Sequence, residues 1–241
     1  MDRLHLIVTP ETIRKYLLSA GFIRRKPTHT LVLDNDHIEL RFNWAKKYLN
    51  FLYSPEIIFT DECSIWLFDN NREGWFHSKV SSPLSVDKHC GKIHCWGAIN
   101  MLVGKVAFMT FRCNMDGRFY KTIIQQTLIP NANRLLPGGY ILQQDGNSSH
   151  TSKVAMKYIR EEVPMVMDWP SKSPDLNPIE NVWSVLKRNV RKRMANNLNE
   201  LERHIHEEWE NFSNQKIILT CESFPKRVEE CFRLRGKKTN Y

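Results

Sequence analysis

Three carboxylates occupy positions from which they could act together on a phosphodiester. Asp61 follows an apolar run that predicts a buried strand with this acid at or near its end. Asp145 ends a second such run, residues 140–145, and Glu180 falls in the first turn of a predicted helix. Because loops diverge at the strand ends of an open α/β sheet, we expect the three side chains to converge at one edge.

A group of acids of this kind suits hard divalent cations. Mg²⁺ prefers oxygen ligands and usually takes only a few carboxylates, which leaves positions for water and substrate phosphate. Two such ions about 3.5–4 Å apart can activate an attacking oxygen and stabilise the leaving one in a phosphoryl displacement. In a basic chain, the pattern predicts a metal-dependent phosphodiester enzyme.

Glu180 also allows a purely structural interpretation. Asn177 is a good N-cap residue and Pro178 suits the first helical position. The spacing from Asn177 to Glu180 is that of a capping box, in which the glutamate bonds back to the N–H of the cap residue. Taken alone, this stretch leaves capping and metal binding equally open.

The charge of the chain favours a polyanionic partner. Its 241 residues include 35 Lys and Arg against 26 Asp and Glu, a formal net charge of +9. Such an excess is typical of proteins that bind nucleic acid, more than of those that bind anionic membranes. With 41% hydrophobic residues, no apolar run of about 18 residues and no signal-peptide pattern, we expect a soluble, intracellular, globular protein.

The order of predicted elements indicates an α/β fold with helices on both faces of a sheet. Strands are predicted at residues 57–68, 92–99, 105–112, 140–145 and 164–167. Helices are predicted at residues 10–20, 38–50, 118–128, 152–160, 180–195, 198–212 and 223–234. Residues 69–88 are polar and too long for a hairpin, so we expect a functional excursion or a flexible loop.

Two groups of basic residues are candidate DNA contacts. The first helix carries Arg14 and Lys15, and the arm after it carries Arg24, Arg25 and Lys26, as in the last helix of a helix-turn-helix module. The alternative is an ordinary amphipathic helix with solvated charges. Lys187 and Arg191 share the helix face of Glu180 and could hold phosphates next to the scissile one, although a solvated charged face remains an alternative.

Other residues near the acids have weaker claims. His150 and Asn177 are candidates for supporting the metal ligands from behind, and His150 could equally contact a phosphate or be a structural histidine. We expect the tryptophans at positions 96, 169 and 183 to anchor the core or loops. The rival acids rank below the three because their positions are less favourable; they are Glu62, Asp69 and Asp175.

Several motifs together resemble the Tc1/mariner transposases. They are Phe59-Thr-Asp-Glu62, Cys95-Trp-Gly97, Gln143-Gln-Asp145, His150, Trp169-Pro170, the block from Ser173 to Trp183 and the C-terminal stretch from Ser223 to Tyr241. Between Asp145 and Glu180 lie 34 residues, the spacing of the Tc1-like (DD34E) branch. The resemblance implies an RNase H-like catalytic domain with Asp61, Asp145 and Glu180 as a DDE triad. It further implies two Mg²⁺ or Mn²⁺ ions, cut-and-paste transposition into TA sites, a homodimer and a nuclear location.

The chain departs from the family pattern at its N-terminus and after the second acid. We expect residues 1–27 to be part of a helix-turn-helix domain, residues 28–54 a linker with a helix, and residues 55–241 the catalytic domain. The shortened DNA-binding region puts recognition of terminal inverted repeats in doubt, and Ser148 stands where the family often has proline. Two rival functions remain: a DNA-binding protein descended from a transposase and no longer catalytic, and a nuclease or integrase on the same fold.

Overall fold

The computed structural model describes residues 9–21, 32–49, 55–67 and 91–241. Residues 1–32 form one compact unit and residues 33–241 form another. The first unit contains helix α1 (Pro10–Ser19). The Thr9 hydroxyl caps its N-terminus by accepting a hydrogen bond from the Thr12 amide at 3.2 Å. This confirms the predicted start of the helix. The predicted basic arm at positions 24–26 lies outside the described residues.

A mixed sheet forms the centre of the second unit. Its strands are β1 (Ile57–Trp66), β2 (Lys92–Asn100), β3 (Gly104–Phe111), β4 (Ile141–Gln143) and β5 (Met165–Val166). In the described part of the chain they lie in the order β3-β2-β1-β4-β5. The β3–β2 and β2–β1 pairs are antiparallel, whereas β1–β4 and β4–β5 are parallel.

Helices cover both faces of this sheet. They are α2 (Asn35–Tyr48), α3 (Gly117–Ile123), α4 (Ile129–Leu135), α5 (Lys153–Glu162), α6 (Ile179–Lys192), α7 (Leu198–Glu210), α8 (Asn214–Cys221) and α9 (Phe224–Arg233). One apolar cluster joins Ile57 and Phe59 of β1 to helices α6 to α9, and another joins Ile58 to helices α3 to α5. Alternate residues of β1 therefore pack into the apolar clusters on opposite faces of the sheet. The predicted α/β class is confirmed.

The structure differs from three predictions about these elements. Residues 58–66 of β1 pair with β2 throughout, so Asp61 lies inside the strand and not at or near its end. The helix predicted at 118–128 continues through a π-helical segment, Ile124–Leu128, into α4. Helix α8 was not predicted, because it is short and buries only Ile217 and Cys221.

Helix α2, predicted from the sequence within the linker region, packs into the second unit. Its buried side chains are Arg41, Trp44 and Ala45, and the Trp44 indole N–H donates to the Asp168 carbonyl at 2.6 Å. The stripe visible in the sequence included Ala45 but neither of the other two residues. Across the described ranges, no helix is both long and apolar enough to cross a membrane.

Candidate active site

Strand register brings Asp61 and Asp145 side by side. The parallel pairing of β1 with β4 ends where Phe59 lies opposite Gln143, and each acid is two residues beyond that pair. β4 stops here, whereas β1 continues beside β2. Asp145 therefore leaves the sheet on a loop next to the strand that carries Asp61.

The third acid arrives on the segment that precedes α6. Asn177 is buried and follows a short 3-10 helix (Pro174–Leu176). Its side-chain NH₂ donates to the Thr60 carbonyl at 3.1 Å, and its side-chain oxygen accepts from the Ile179 amide at 3.3 Å. One residue thus ties the start of α6 to β1 immediately before Asp61, which sets where Glu180 can reach.

The hydrogen bonds around Glu180 do not form the capping box that the spacing allowed. The Asn177 backbone N–H donates to the Pro174 carbonyl at 3.1 Å, so it is already engaged. The Glu180 carboxyl group instead lies near Asp61 and Lys187, and both residues influence its pKa.

Burial and repulsion make the Asp61–Glu180 pair hard to ionise. Burial, followed by the negative charges of Glu180 and Glu62, raises the pKa of Asp61 well above its usual range. Burial also raises the pKa of Glu180, and the positive charge of Lys187 opposes that rise only in part. A cation placed between the two carboxylates would remove this repulsion and favour their ionised forms.

His150 holds the second aspartate from behind. Its Nδ1 lies 2.7 Å from Asp145 Oδ1, its Nε2 lies 3.1 Å from Glu62 Oε1, and its ring stacks on Tyr120 at 4.0 Å. Burial alone would lower the pKa of His150, but the hydrogen bonds with Asp145 and Glu62 raise it to about 9. A protonated ring donates from both nitrogens. Although burial favours a higher value, the bonds from His150 and the Asn147 amide hold the pKa of Asp145 below its usual range.

Trp183 is a partner of Asp61 that sequence reasoning missed. Its buried indole N–H donates to Asp61 Oδ2 at 3.1 Å. Gly97 lies opposite Asp61 in the β1–β2 pair, and a Cβ there would be only 2.6 Å from Trp183 Cη2. The glycine of the Cys95-Trp-Gly97 motif therefore leaves space for the indole, a signal that was present in the sequence but could not be assigned without the pairing.

The three acids line one cavity of about 360 Å³, whose wall includes residues 169–174 and Asn177. Within the described residues, no three His, Cys, Asp or Glu side chains already surround a common point as ligands of one metal ion. The donors nevertheless fit a hard divalent cation, because three carboxylate groups line the same cavity and a bound cation would favour their ionised forms. Asp61, Asp145 and Glu180 are the residues that could hold such an ion.

The candidate DNA contacts fall in two places. Lys187 is half-buried on α6, close enough to influence Glu180, and Arg191 is exposed one turn further on. Arg14 and Lys15 are exposed on α1 in the first unit. The other three candidates, Arg24, Arg25 and Lys26, lie outside the described residues.

The rival acids and the tryptophans have structural positions. Glu62 is bonded to His150, Asp175 is buried against Arg41, and Asp69 lies outside the described residues. Trp96 and Trp183 are buried in the core, as expected for anchors. The remaining tryptophan is only partly buried; Trp169 packs on Trp44 and also lines the cavity.

Comparison with protein families decides the affiliation of the chain. The family model of the DDE superfamily endonucleases matches residues 56–202, more than half of the chain, and a transposase helix-turn-helix model matches residues 2–50. The Tcb2 transposase of Caenorhabditis briggsae is 29% identical over 245 residues, covering 97% of this chain and 89% of the relative. The Tc1 transposase of Caenorhabditis elegans is 27% identical over 244 residues, covering 98% and 89%. This chain belongs to the DDE superfamily endonucleases, among the Tc1/mariner transposases.

The fold of this Tc1/mariner family member is also that of a solved structure. The Mos1 mariner paired-end complex with Mn superposes with a TM-score of 0.81 at 16% identity, covering 97% of this chain and 72% of that one. At this identity the likeness establishes the fold alone. It is the RNase H-like arrangement that the resemblance implied.

Gly97→Ala is expected to destabilise this Tc1/mariner chain by about 1–3 kcal/mol, because the added methyl group must displace Trp183 or β1. Thermal unfolding and tryptophan fluorescence would report the loss and the movement of the indole. Gly138→Ala is the matched control, because a Cβ there meets no atom within 4 Å. Equal stability of the two variants would contradict the tight fit at Gly97.

Proposed function

We propose that this chain is a metal-dependent transposase that hydrolyses a phosphodiester at the ends of its element and joins the freed 3′-OH to TA target DNA. The observation that carries the proposal is the convergence of Asp61, Asp145 and Glu180 on one cavity. The endonuclease family match spans Asp61, Asp145 and Glu180 and supports the same chemistry.

In this proposal, Asp61, Asp145 and Glu180 hold two Mg²⁺ or Mn²⁺ ions. The similar Mos1 complex was solved with Mn, which supports a divalent cation here. Bound ions of this kind supply Lewis-acid activation of the attacking oxygen and charge stabilisation of the leaving one. The carboxylates act as ligands and form no covalent bond to DNA.

The surrounding residues position the acids and the DNA. His150 keeps Asp145 ionised and oriented, Trp183 orients Asp61, and Asn177 sets the start of α6. Residues 169–174 form one wall of the cavity that the acids line. Basic side chains on α6 hold the phosphates that neighbour the scissile one.

The proposal extends to partners and location. The helix-turn-helix match at residues 2–50 supports contacts with element-end DNA through Arg14, Lys15 and the following basic arm. By family analogy, the active species is a homodimer, because two element ends must be held together, and it acts in the nucleus where its DNA lies.

The test uses labelled duplexes of the inverted repeats that flank the coding sequence of this chain. The parent protein and Asp145→Ala are incubated with each duplex and Mg²⁺ or Mn²⁺, and a plasmid rich in TA sites serves as the target. Cleavage and TA joining by the parent alone support the proposal. Binding without cleavage by either protein favours a non-catalytic DNA-binding role and contradicts the proposal.

Neutralising Lys187 and Arg191 together with glutamine is expected to weaken DNA binding and to reduce the salt dependence. Each lost phosphate contact lowers the slope of log K against log salt by about 0.9, so we expect a change of about 1.8. The DNA dissociation constant is measured without metal at salt concentrations from about 50 to 200 mM, a range over which such slopes are resolved. The control is Lys216→Gln with Lys226→Gln, exposed lysines on α8 and α9. An unchanged slope for the α6 variant would exclude these contacts.

A further inference from the structure

The segment that brings Glu180 to the cavity has a second, buried side. This arm (residues 168–178) lines the cavity through residues 169–174 and Asn177, and its 3-10 helix packs against α9. Asp175 belongs to the arm but not to the cavity wall. Its side chain is only 2% exposed, so the arm presents a carboxylate to the interior of the protein.

Arg41 meets this carboxylate from α2. The Arg41 side chain is completely buried and donates to both oxygens of Asp175, at 2.8 and 2.7 Å. It also donates to the Ser173 hydroxyl at 2.7 Å and, from Nε, to the Gly236 carbonyl at 2.8 Å. A single guanidinium therefore joins α2, the arm and the tail (residues 234–241).

The tail closes the same cluster from the other side. The amide and hydroxyl of Thr239 donate to Asp175 Oδ2 at 2.8 and 3.0 Å. Gly236 has a φ of +81°, and a Cβ there would lie 1.9 Å from the Ile38 carbonyl oxygen, so only glycine lets the tail sit this close to α2. The position of the tail is thus fixed by backbone contact as well as by the ion pair.

A second buried arginine contacts the chain on both sides of Glu180 in sequence. Arg227 of α9 donates to the Asp175 carbonyl at 2.9 Å and to the Asn181 side-chain oxygen at 2.7 Å. Its guanidinium lies 4.6 Å from the centroid of the Tyr241 ring. Since Asn181 directly follows Glu180, the two arginines fix the chain both before and after the catalytic glutamate.

We propose that Arg41 and Arg227 are positioning residues that set the separation of Glu180 from Asp61 and so set the affinity of the cavity for divalent cations. The inference rests on the proposed function. A buried ion pair adds little net stability over an apolar alternative, whereas the rigid fork of arginine fixes geometry that lysine cannot reproduce. Groups that orient metal ligands from behind typically change metal affinity by about 10–100-fold.

The test compares the parent with Arg41→Lys and Arg227→Lys, which keep the charge and lose the fork. Mn²⁺ is titrated against the thermal unfolding temperature without DNA, and separately against the cleavage rate. Both lysine variants are expected to need about 10–100-fold more Mn²⁺ for the half-maximal effect. Thr239→Val, which leaves both arginines in place, should shift the midpoint in the same direction by less, and it serves if a lysine variant does not fold.

A purely structural role predicts a different pattern. Ile124→Val, in the apolar cluster on the opposite face of the sheet, is the matched control. This variant is expected to lower the unfolding temperature and to leave the Mn²⁺ midpoint equal to that of the parent. If the arginine and Thr239 variants lower the unfolding temperature but keep the Mn²⁺ midpoint of the parent, the inference is overturned and the proposed function is not. A parent that shows neither Mn²⁺-linked stabilisation nor cleavage would overturn the proposed function, and the inference with it.

Discussion

Asp61→Asn is expected to abolish DNA cleavage while making the metal-free protein more stable. The first effect follows from the loss of one carboxylate from the proposed metal site. A bound metal ion supplies several kcal/mol of charge stabilisation in the transition state, so we expect cleavage to fall by at least about 10³-fold. Gel assays of element-end DNA with Mg²⁺ measure this loss.

The gain in stability follows from the same carboxylate pair. Asp61 is buried beside Glu180 and Glu62, which is why its pKa is raised. Asparagine is neutral, so it avoids both the burial of a charge and the uptake of a proton on folding, and it can still accept from the Trp183 indole. Burying charge without a partner is one of the costliest features in a protein, so we expect a gain on the order of 1 kcal/mol, or about 2–4 °C in Tm.

Metal titration links the two effects. The parent is expected to gain about 2.7 kcal/mol of stability at a Mn²⁺ concentration 100 times its Kd, and Asp61→Asn should show almost none of this gain. Glu229→Gln, which changes an exposed carboxylate on α9, should match the parent in cleavage and in response to Mn²⁺. Retained cleavage, or a variant less stable than the parent, would contradict the role assigned to Asp61.

The sequence was informative about the acids because their signals are local. Apolar runs ending near Asp61 and Asp145, and prolines leading into the helix of Glu180, predict strand and helix positions without knowledge of distant contacts. The resemblance to Tc1/mariner transposases then assigned these acids to one site. Each of the three lines the same cavity in the structure.

Apart from His150 and Asn177, which the sequence offered as candidate supports, the contacts around those acids could not be predicted, because they depend on register and on distant residues. Trp183 reaches Asp61 across 122 positions, and His150 reaches Glu62 across 88. Asp175 looked like a rival acid because the sequence gives no sign of Arg41, which is 134 positions away. The position of Asp61 inside β1, and not near its end, likewise follows from pairing with β2.

Asp175→Asn is expected to cost about 3–5 kcal/mol of unfolding free energy at pH 7, because it leaves Arg41 buried without its counter-charge. Such a loss is a large share of the roughly 5–15 kcal/mol that stabilises a typical domain. The matched control is Asp168→Asn, in the same arm. Asp168 pairs with Lys47 in a salt bridge whose side chains are 61% and 72% exposed, so its loss should cost about 0–1 kcal/mol.

The loss of unfolding free energy caused by Asp175→Asn should also become smaller as the pH falls. Burial would raise the pKa of Asp175, but the hydrogen bonds from Arg41 and Thr239 outweigh it and hold the pKa below its usual range. A carboxylate with a lowered folded-state pKa contributes its full stability above the unfolded value of about 3.9 and loses it as pH falls through the folded value. Urea unfolding of the parent and Asp175→Asn should therefore differ fully at pH 5 to 7, on the order of the cost above. The difference should shrink by up to about 1.4 kcal/mol for each pH unit below about 3.9. A difference that stayed constant into acid would mean that Asp175 acts by shape and not by charge, whereas convergence with decreasing pH identifies the ion pair as the contact that holds the arm of Glu180 in place.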